Sequence, residues 1–125
     1  MTSTLHRPPC VSYIDDADLG ELEVWWTNCG DLIDFAAGWT FLVEIGQRWN
    51  PAVISKTTGV TGGTGSGTED NGVPNLVIEW DLGELDVLTP GEWVIEITAT
   101  RDADLKERKR QIRLTILPEV LALVP

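Results

Sequence analysis

After Pro90-Gly91 the chain alternates without interruption, with Trp93, Ile95, Ile97 and Ala99 on one side and Glu92, Val94, Glu96, Thr98 and Thr100 on the other. A period of two is the period of a strand, because successive side chains leave a strand on opposite faces. A helix would smear these apolar residues around its circumference, so this stretch has to be half-buried β-structure. The pattern recurs along the chain. Glu21–Thr27 sets Leu22, Val24 and Trp26 against Glu21, Glu23 and Trp25, and Trp39, Phe41, Val43 and Ile45 oppose Thr40, Leu42 and Glu44 between Gly38 and Gly46. Leu76, Ile78 and Trp80 oppose Val77 and Glu79, and Ile112, Leu114 and Ile116 alternate with Gln111, Arg113 and Thr115 up to Pro118. A shorter run, Ala52-Val53-Ile54-Ser55, follows Pro51.

Turn signals separate these runs. Asn28-Cys29-Gly30-Asp31 and Arg101-Asp102-Ala103-Asp104 are built from residues that accept tight backbone geometry. Several short strands with such punctuation predict an all-β, immunoglobulin-like antiparallel β-sandwich, and 125 residues are enough for one domain with its own core. Its expected core is Trp39, Phe41, Val43, Leu76, Ile78, Trp93, Ile95, Ile97, Leu114 and Ile116. Helix is expected only as a single turn within Asp81–Leu88, which Gly83 and Pro90 keep short. Thr57–Thr68 is almost wholly Gly, Thr and Ser and reads as a long mobile hairpin loop that tolerates shortening. It lacks the Gly-Lys-Ser/Thr ending of a phosphate loop, and Glu69-Asp70 follows where phosphate would be repelled. The expected organisation is an N-terminal arm over 1–14, the sandwich over 15–118 and an apolar tail over 119–125.

Catalytic chemistry finds little to stand on. One histidine, His6, lies in the Pro-rich arm, and two cysteines, Cys10 and Cys29, form no CxxC pair. Glu79, Glu92 and Glu96 occupy solvent-facing strand positions among many other acids, and nothing sets two of them in contrasting environments as acid/base catalysis requires. No catalytic residue, cofactor or metal ligand is therefore expected. The formal charge of −11 opposes nucleic acid and anionic membranes. No run approaches the ~20 apolar residues of a membrane span, so membrane insertion is not expected either.

What remains points to contacts between proteins. Strand parity assigns Trp26, Trp39, Trp80 and Trp93 to the core, and leaves Trp25 and Trp49 as an exposed pair suited to anchoring an interface. Residues 101–113 carry six of the nine basic groups and are net +3, with the remainder at −14. Lys106, Arg108, Lys109, Arg110 and Arg113 are the expected contacts to acidic residues of another chain, drawn from Asp15–Asp34 or Glu79–Glu96. Opposite signs on separate patches suit a head-to-tail join. The apolar tail, with Leu121 and Leu123, is expected to reinforce it.

The order of these signals resembles a known family. "LIDFAAGWTFLVEIGQ" (Leu32–Gln47), "NLVIEWDLGELDVLTPGEWVIEITATRD" (Asn75–Asp102) and "RQIRLTILP" (Arg110–Pro118) are similar to the N-terminal domain of phage baseplate upper proteins and to phage minor tail proteins. A strand ending in an aromatic runs into an acidic turn, a Pro-Gly-x-aromatic phrase (Pro90, Gly91, Trp93) opens the next strand, and the last strand ends in Pro. Phe35 stands where that family more often has a small polar residue. The resemblance implies an immunoglobulin-like virion subunit, located in the phage tail after assembly in the host cytoplasm, with other tail proteins and its own copies as partners. A small minor tail or connector protein is the expected form. A carbohydrate-binding adhesion module that presents Trp25 and Trp49 to host glycans is the alternative.

Overall fold

The computed structural model describes residues 10–14, 20–69, 71–81 and 83–117. The described elements are β1 (Cys10–Ile14), β2 (Glu21–Val24), β3 (Thr27–Asn28), β4 (Asp31–Leu32), β5 (Trp39–Gly46), β6 (Ile54–Lys56), β7 (Val60–Gly62), β8 (Leu76–Glu79), β9 (Gly91–Arg101) and β10 (Glu107–Leu117). One 3-10 turn, Glu84–Val87, lies between β8 and β9. A five-stranded sheet runs β1-β10-β9-β5-β6, a three-stranded sheet runs β2-β8-β7, and β3 and β4 form a separate hairpin. The fold is an all-β sandwich whose pairings are antiparallel, except that β1 lies parallel to β10. Cys10–Ile14 thus belongs to the larger sheet, where an arm was expected. The remainder of the arm, with His6, and the tail with Leu121 and Leu123 lie outside the described residues.

The core sits where the alternation puts it. From the larger sheet, Val43, Ile45, Trp93, Ile95, Ile97, Ala99, Ile112, Leu114 and Ile116 are buried; Leu22, Val24, Leu76 and Ile78 meet them from the smaller one. Register explains the layering, because Ile95 lies opposite both Ile45 and Ile112, and Ile97 opposite Val43. Trp39 and Phe41, expected to be buried, are only half-buried. They stack on Phe35, whose ring meets theirs edge-on at 5.0 and 5.3 Å and so takes the innermost place itself.

The structure departs from the sequence reading in three places. The strand expected over Glu21–Thr27 stops at Val24, because the Asn75 side chain takes over the backbone pairing. Asn75 Oδ1 accepts from the Trp26 N–H at 2.8 Å, and its Nδ2 donates to the carbonyls of Trp26 and Ile33 at 2.8 Å each. Thr57–Thr68 is not a spacer loop. It contains β7, which pairs with β8 from Val60↔Ile78 to Gly62↔Leu76, and Ser66 then bridges Val73 with hydrogen bonds of 2.9 and 2.8 Å. The glycines make this possible by having no side chain. A Cβ on Gly62 would collide with the Phe35 carbonyl, and one on Gly72 with the Ser66 carbonyl. The smaller sheet is thereby built from backbone laid on backbone. The run expected over Ala52–Ser55 is displaced to Ile54–Lys56, since Val53 N–H already turns back to the Ile45 carbonyl at 2.7 Å.

The two sheets are also tied by a charge. Lys56 of β6 donates to the Glu79 carbonyl at 2.7 Å and to the Glu84 carboxylate at 2.9 Å, with its ammonium 4.9 Å from the Trp80 ring centroid. Its side chain is 8% exposed and that of Glu84 18%. Glu84 in turn accepts from the Asp81 N–H at 2.9 Å and so holds the entry to the 3-10 turn.

Candidate interaction surfaces

The outward face of the larger sheet carries two of the expected contact residues, Lys109 and Arg113. β10 places Lys109, Gln111 and Arg113 outward, beside Glu92, Glu96 and Thr98 of β9, because the hairpin sets Gln111 opposite Glu96 and Thr115 opposite Glu92. Lys109 Nζ donates to Thr98 Oγ1 at 3.1 Å and lies 3.8 Å from Glu96. Arg113 Nε lies 3.6 Å from Glu92, which also accepts from Thr115 Oγ1 at 2.8 Å. These two cations therefore have acidic partners within the chain. The cause is register: cross-strand and diagonal neighbours on one face of a hairpin are within reach of long side chains.

Arg108 and Arg110 share the parity of Ile112 and turn toward the inner face, where both are half-buried. Desolvation lowers the Arg110 guanidinium from its usual pKa, with Glu69 opposing the shift, and its buried Nε has no hydrogen-bond partner. Lys106 is exposed in the β9–β10 turn and has no ion pair among the described residues. The turn is braced by Arg101, which pairs with Asp104 at 2.6 Å. That hydrogen bond, together with the Lys106 N–H, holds the Asp104 carboxyl at about 2. The turn presents Leu105, 73% exposed, on a left-handed backbone (φ 60°).

The two candidate tryptophans are not a pair. Trp25 follows β2 in the smaller sheet and is half-buried, its Nε1 donating to the Ser66 carbonyl at 3.3 Å. Trp49 lies in the turn after β5, 89% exposed, also with a left-handed backbone (φ 70°). Asn50 N–H closes that turn onto the Gln47 carbonyl at 3.0 Å, and the Arg48 guanidinium sits 5.0 Å from the Trp49 ring centroid. A bulky side chain in the left-handed region costs about 1–2 kcal/mol, a strain that tends to be kept where it serves a contact.

Beside Trp49 the outward face is hollowed into an open cleft of about 760 Å³, lined by Glu44, Gly46, Asn50, Glu96, Gln111 and Arg113 among others. Gly46 admits the Pro51–Ala52 backbone at one wall, where a Cβ would press on Ala52. Glu44 and Glu96 are direct neighbours across β5 and β9. Gln111 Nε2 donates to Glu96 at 3.1 Å, whereas Glu44, half-buried, has no hydrogen-bond or ion-pair partner among the described residues. Like charges directly opposite on a ladder disfavour each other, and the Glu44 carboxylate is left able to receive a donor. Sequence parity put Glu44 on the outward side but had no means of pairing it with Glu96, which depends on the β5–β9 register.

Elsewhere among the described residues, Cys29 is a free, exposed thiol in the Asn28–Asp31 turn. No group of three or more His, Cys, Asp or Glu among them is placed to hold a metal, and no helix is long and apolar enough to cross a membrane. Comparison with protein-family models, with curated proteins and with solved structures finds no match to the chain.

Proposed function

We propose that the chain is a non-enzymatic virion subunit, a minor tail or connector protein of a phage tail or baseplate, folded as an immunoglobulin-like sandwich and acting through protein–protein contacts. The observation that supports this reading best is the pair Trp49 and Leu105. Each is a large apolar side chain presented to solvent on a left-handed turn, and the two turns lie at opposite ends of the larger sheet. Apolar side chains displayed in this way favour burial against a partner, at ~25 cal/mol per Å² of area removed from water. They offer little to a reaction. The acidic body suits an assembly role, since net charge keeps unassembled subunits apart and soluble. The kind of assembly comes from the resemblance of Leu32–Gln47, Asn75–Asp102 and Arg110–Pro118 to baseplate upper and minor tail proteins.

The test is to localise the chain in phage particles that carry it, using a chain-specific antibody and gold labelling of purified tails. Label at one reproducible level of the tail is the expected result. A chain recovered only outside particles would contradict the proposal.

A further inference from the structure

We infer that the cleft beside Trp49 receives the β9–β10 turn of a second copy of this chain, with Leu105 against the Trp49 indole and the Lys106 ammonium beside the Glu44 carboxylate. The inference rests on the contact-making role proposed above and names the partner.

Four features of the described residues fit together. Trp49 and Leu105 are the two most exposed large apolar side chains, at 89% and 73%. Glu44 is a half-buried carboxylate with no donor, set against Glu96 in a cleft of about 760 Å³, within the ~300–1,000 Å³ range of clefts that hold a compact group. Lys106 follows Leu105 directly and is the cation of the turn that makes no salt bridge among the described residues: Arg101 holds the Asp104 carboxylate in direct contact, and the Lys106 charge acts on it only at longer range. An apolar residue followed by a cation on the turn thus matches an indole flanked by an unpartnered carboxylate in the cleft. Arg101 and Lys106 stand against Asp102, Asp104 and Glu107, so the turn is net −1 and the attraction is confined to Lys106 and the carboxylate it meets. Apolar contact then supplies most of the affinity, and the ion pair sets the register.

The placement of the two features dictates the symmetry. Gly46, Val94 and Arg113 mark the cleft end of the larger sheet, whereas Trp39 and Arg101 mark the turn end. Val94 and Arg101 are separated along β9 by roughly 23 Å, at ~3.3 Å per residue. One copy therefore uses its turn and the next its cleft, and both keep one free end. Such a heterologous contact extends the assembly or closes it into a ring. A two-fold contact would set cleft on cleft or turn on turn, and would leave Glu44 and Lys106 without each other.

Sedimentation velocity over a concentration series tests this, with the parent, Trp49→Ala, Leu105→Asp and their equimolar mixture. Trp49 and Leu105 are exposed side chains, and unchanged thermal melting confirms that each variant folds. The parent is expected to grow beyond a dimer, and each variant alone to remain monomeric. The mixture is expected to stop at a dimer, since only one intact cleft and one intact turn remain to meet. Glu44→Lys and Lys106→Glu should each weaken association about tenfold, and the double change should restore it to within about threefold, as a coupled pair requires. A parent that assembles equally well with and without these changes overturns the inference and leaves the contact-making role standing. A parent that stays monomeric also overturns it. Its binding to purified tails then decides the broader role: tail binding keeps that role, and no binding removes both. Retention of a neutral oligosaccharide by the monomer, lost in Trp49→Ala, would assign the cleft to a glycan and overturn the second copy as its occupant.

Discussion

The β9–β10 hairpin and the segment from Thr57 to Asn75 reach the same secondary structure by opposite means. In the hairpin, side chains make the strands: Trp93, Ile95, Ile97, Ile112, Leu114 and Ile116 have one face on which they can all be buried, and that face fixes the register. In the Gly/Thr segment only Val60 of β7 packs on the core, and missing side chains let the backbone close up around it. Gly62 lets β7 lie against Phe35, Gly72 lets the chain close on Ser66, and Asn75 ties the result to Trp26 and Ile33. The comparison shows that a glycine-rich run can be a structural component whenever another backbone occupies the space its missing Cβ atoms leave.

Substitutions at the two regions separate the mechanisms. Trp93→Ala should be the most costly, at ~3–5 kcal/mol, because it empties the core at a residue opposite Leu114 and removes the Nε1 hydrogen bond to the Thr89 carbonyl. Asn75→Ala should cost about 2–4 kcal/mol, since the Trp26 N–H and the Trp26 and Ile33 carbonyls lose an amide that is fully buried. Urea denaturation reads both. If the Asn75 variant melts like the parent, the smaller sheet is not held as described. Gly62→Ala should cost ~1–3 kcal/mol by overpacking against Phe35. A spacer loop would accept the alanine with no loss, so this variant most sharply distinguishes a strand from a loop.

These outcomes bear on how much of the fold was legible. The alternation at 91–100, 112–116, 39–45 and 76–80 carried its own evidence, and so did the turn at Asn28–Asp31, where Cys29 and Gly30 both adopt positive φ. β7 was not legible, because it is three residues long and, with Gly62 at its end, only Val60 and Thr61 are left to show a period of two. Nothing in the sequence singled out Asn75, since its three hydrogen bonds reach residues more than forty positions away. The basic segment was visible as composition. That Lys109 and Arg113 would meet Glu96 and Glu92 of the same chain, and that Arg108 and Arg110 would turn inward, followed only from the register of β10. The cleft combined one legible residue, Trp49, with one that sequence could not single out, Glu44.

Smaller effects sharpen the contrast between inward and outward charges. Arg110→Met should leave stability unchanged or raise it by up to about 1 kcal/mol, because it removes a desolvated group whose Nε has no partner. Arg113→Ala, at an exposed pair with Glu92, should change it by less than ~1 kcal/mol. The β9–β10 turn should respond to acid. Asp104 is held at about 2, below its ordinary 3.8, so its contribution is full above that ordinary value and is lost as pH falls through about 2. Titrating the Leu105 amide signal by NMR should show the turn loosening only in strong acid, and Asp104→Asn should abolish the transition.

Amide hydrogen exchange tests the claim on which the smaller sheet depends. Gly63, Ser66 and Val73 donate backbone hydrogen bonds of 3.0, 2.9 and 2.8 Å within the glycine-rich segment. Their exchange should be slowed together with that of Leu76 and Ile78 in β8, as members of one cooperative unit. Exchange of these three amides at the rate of an unstructured chain, with β8 still protected, would mean that the segment is a loop and that the two regions do not share a fold-forming role.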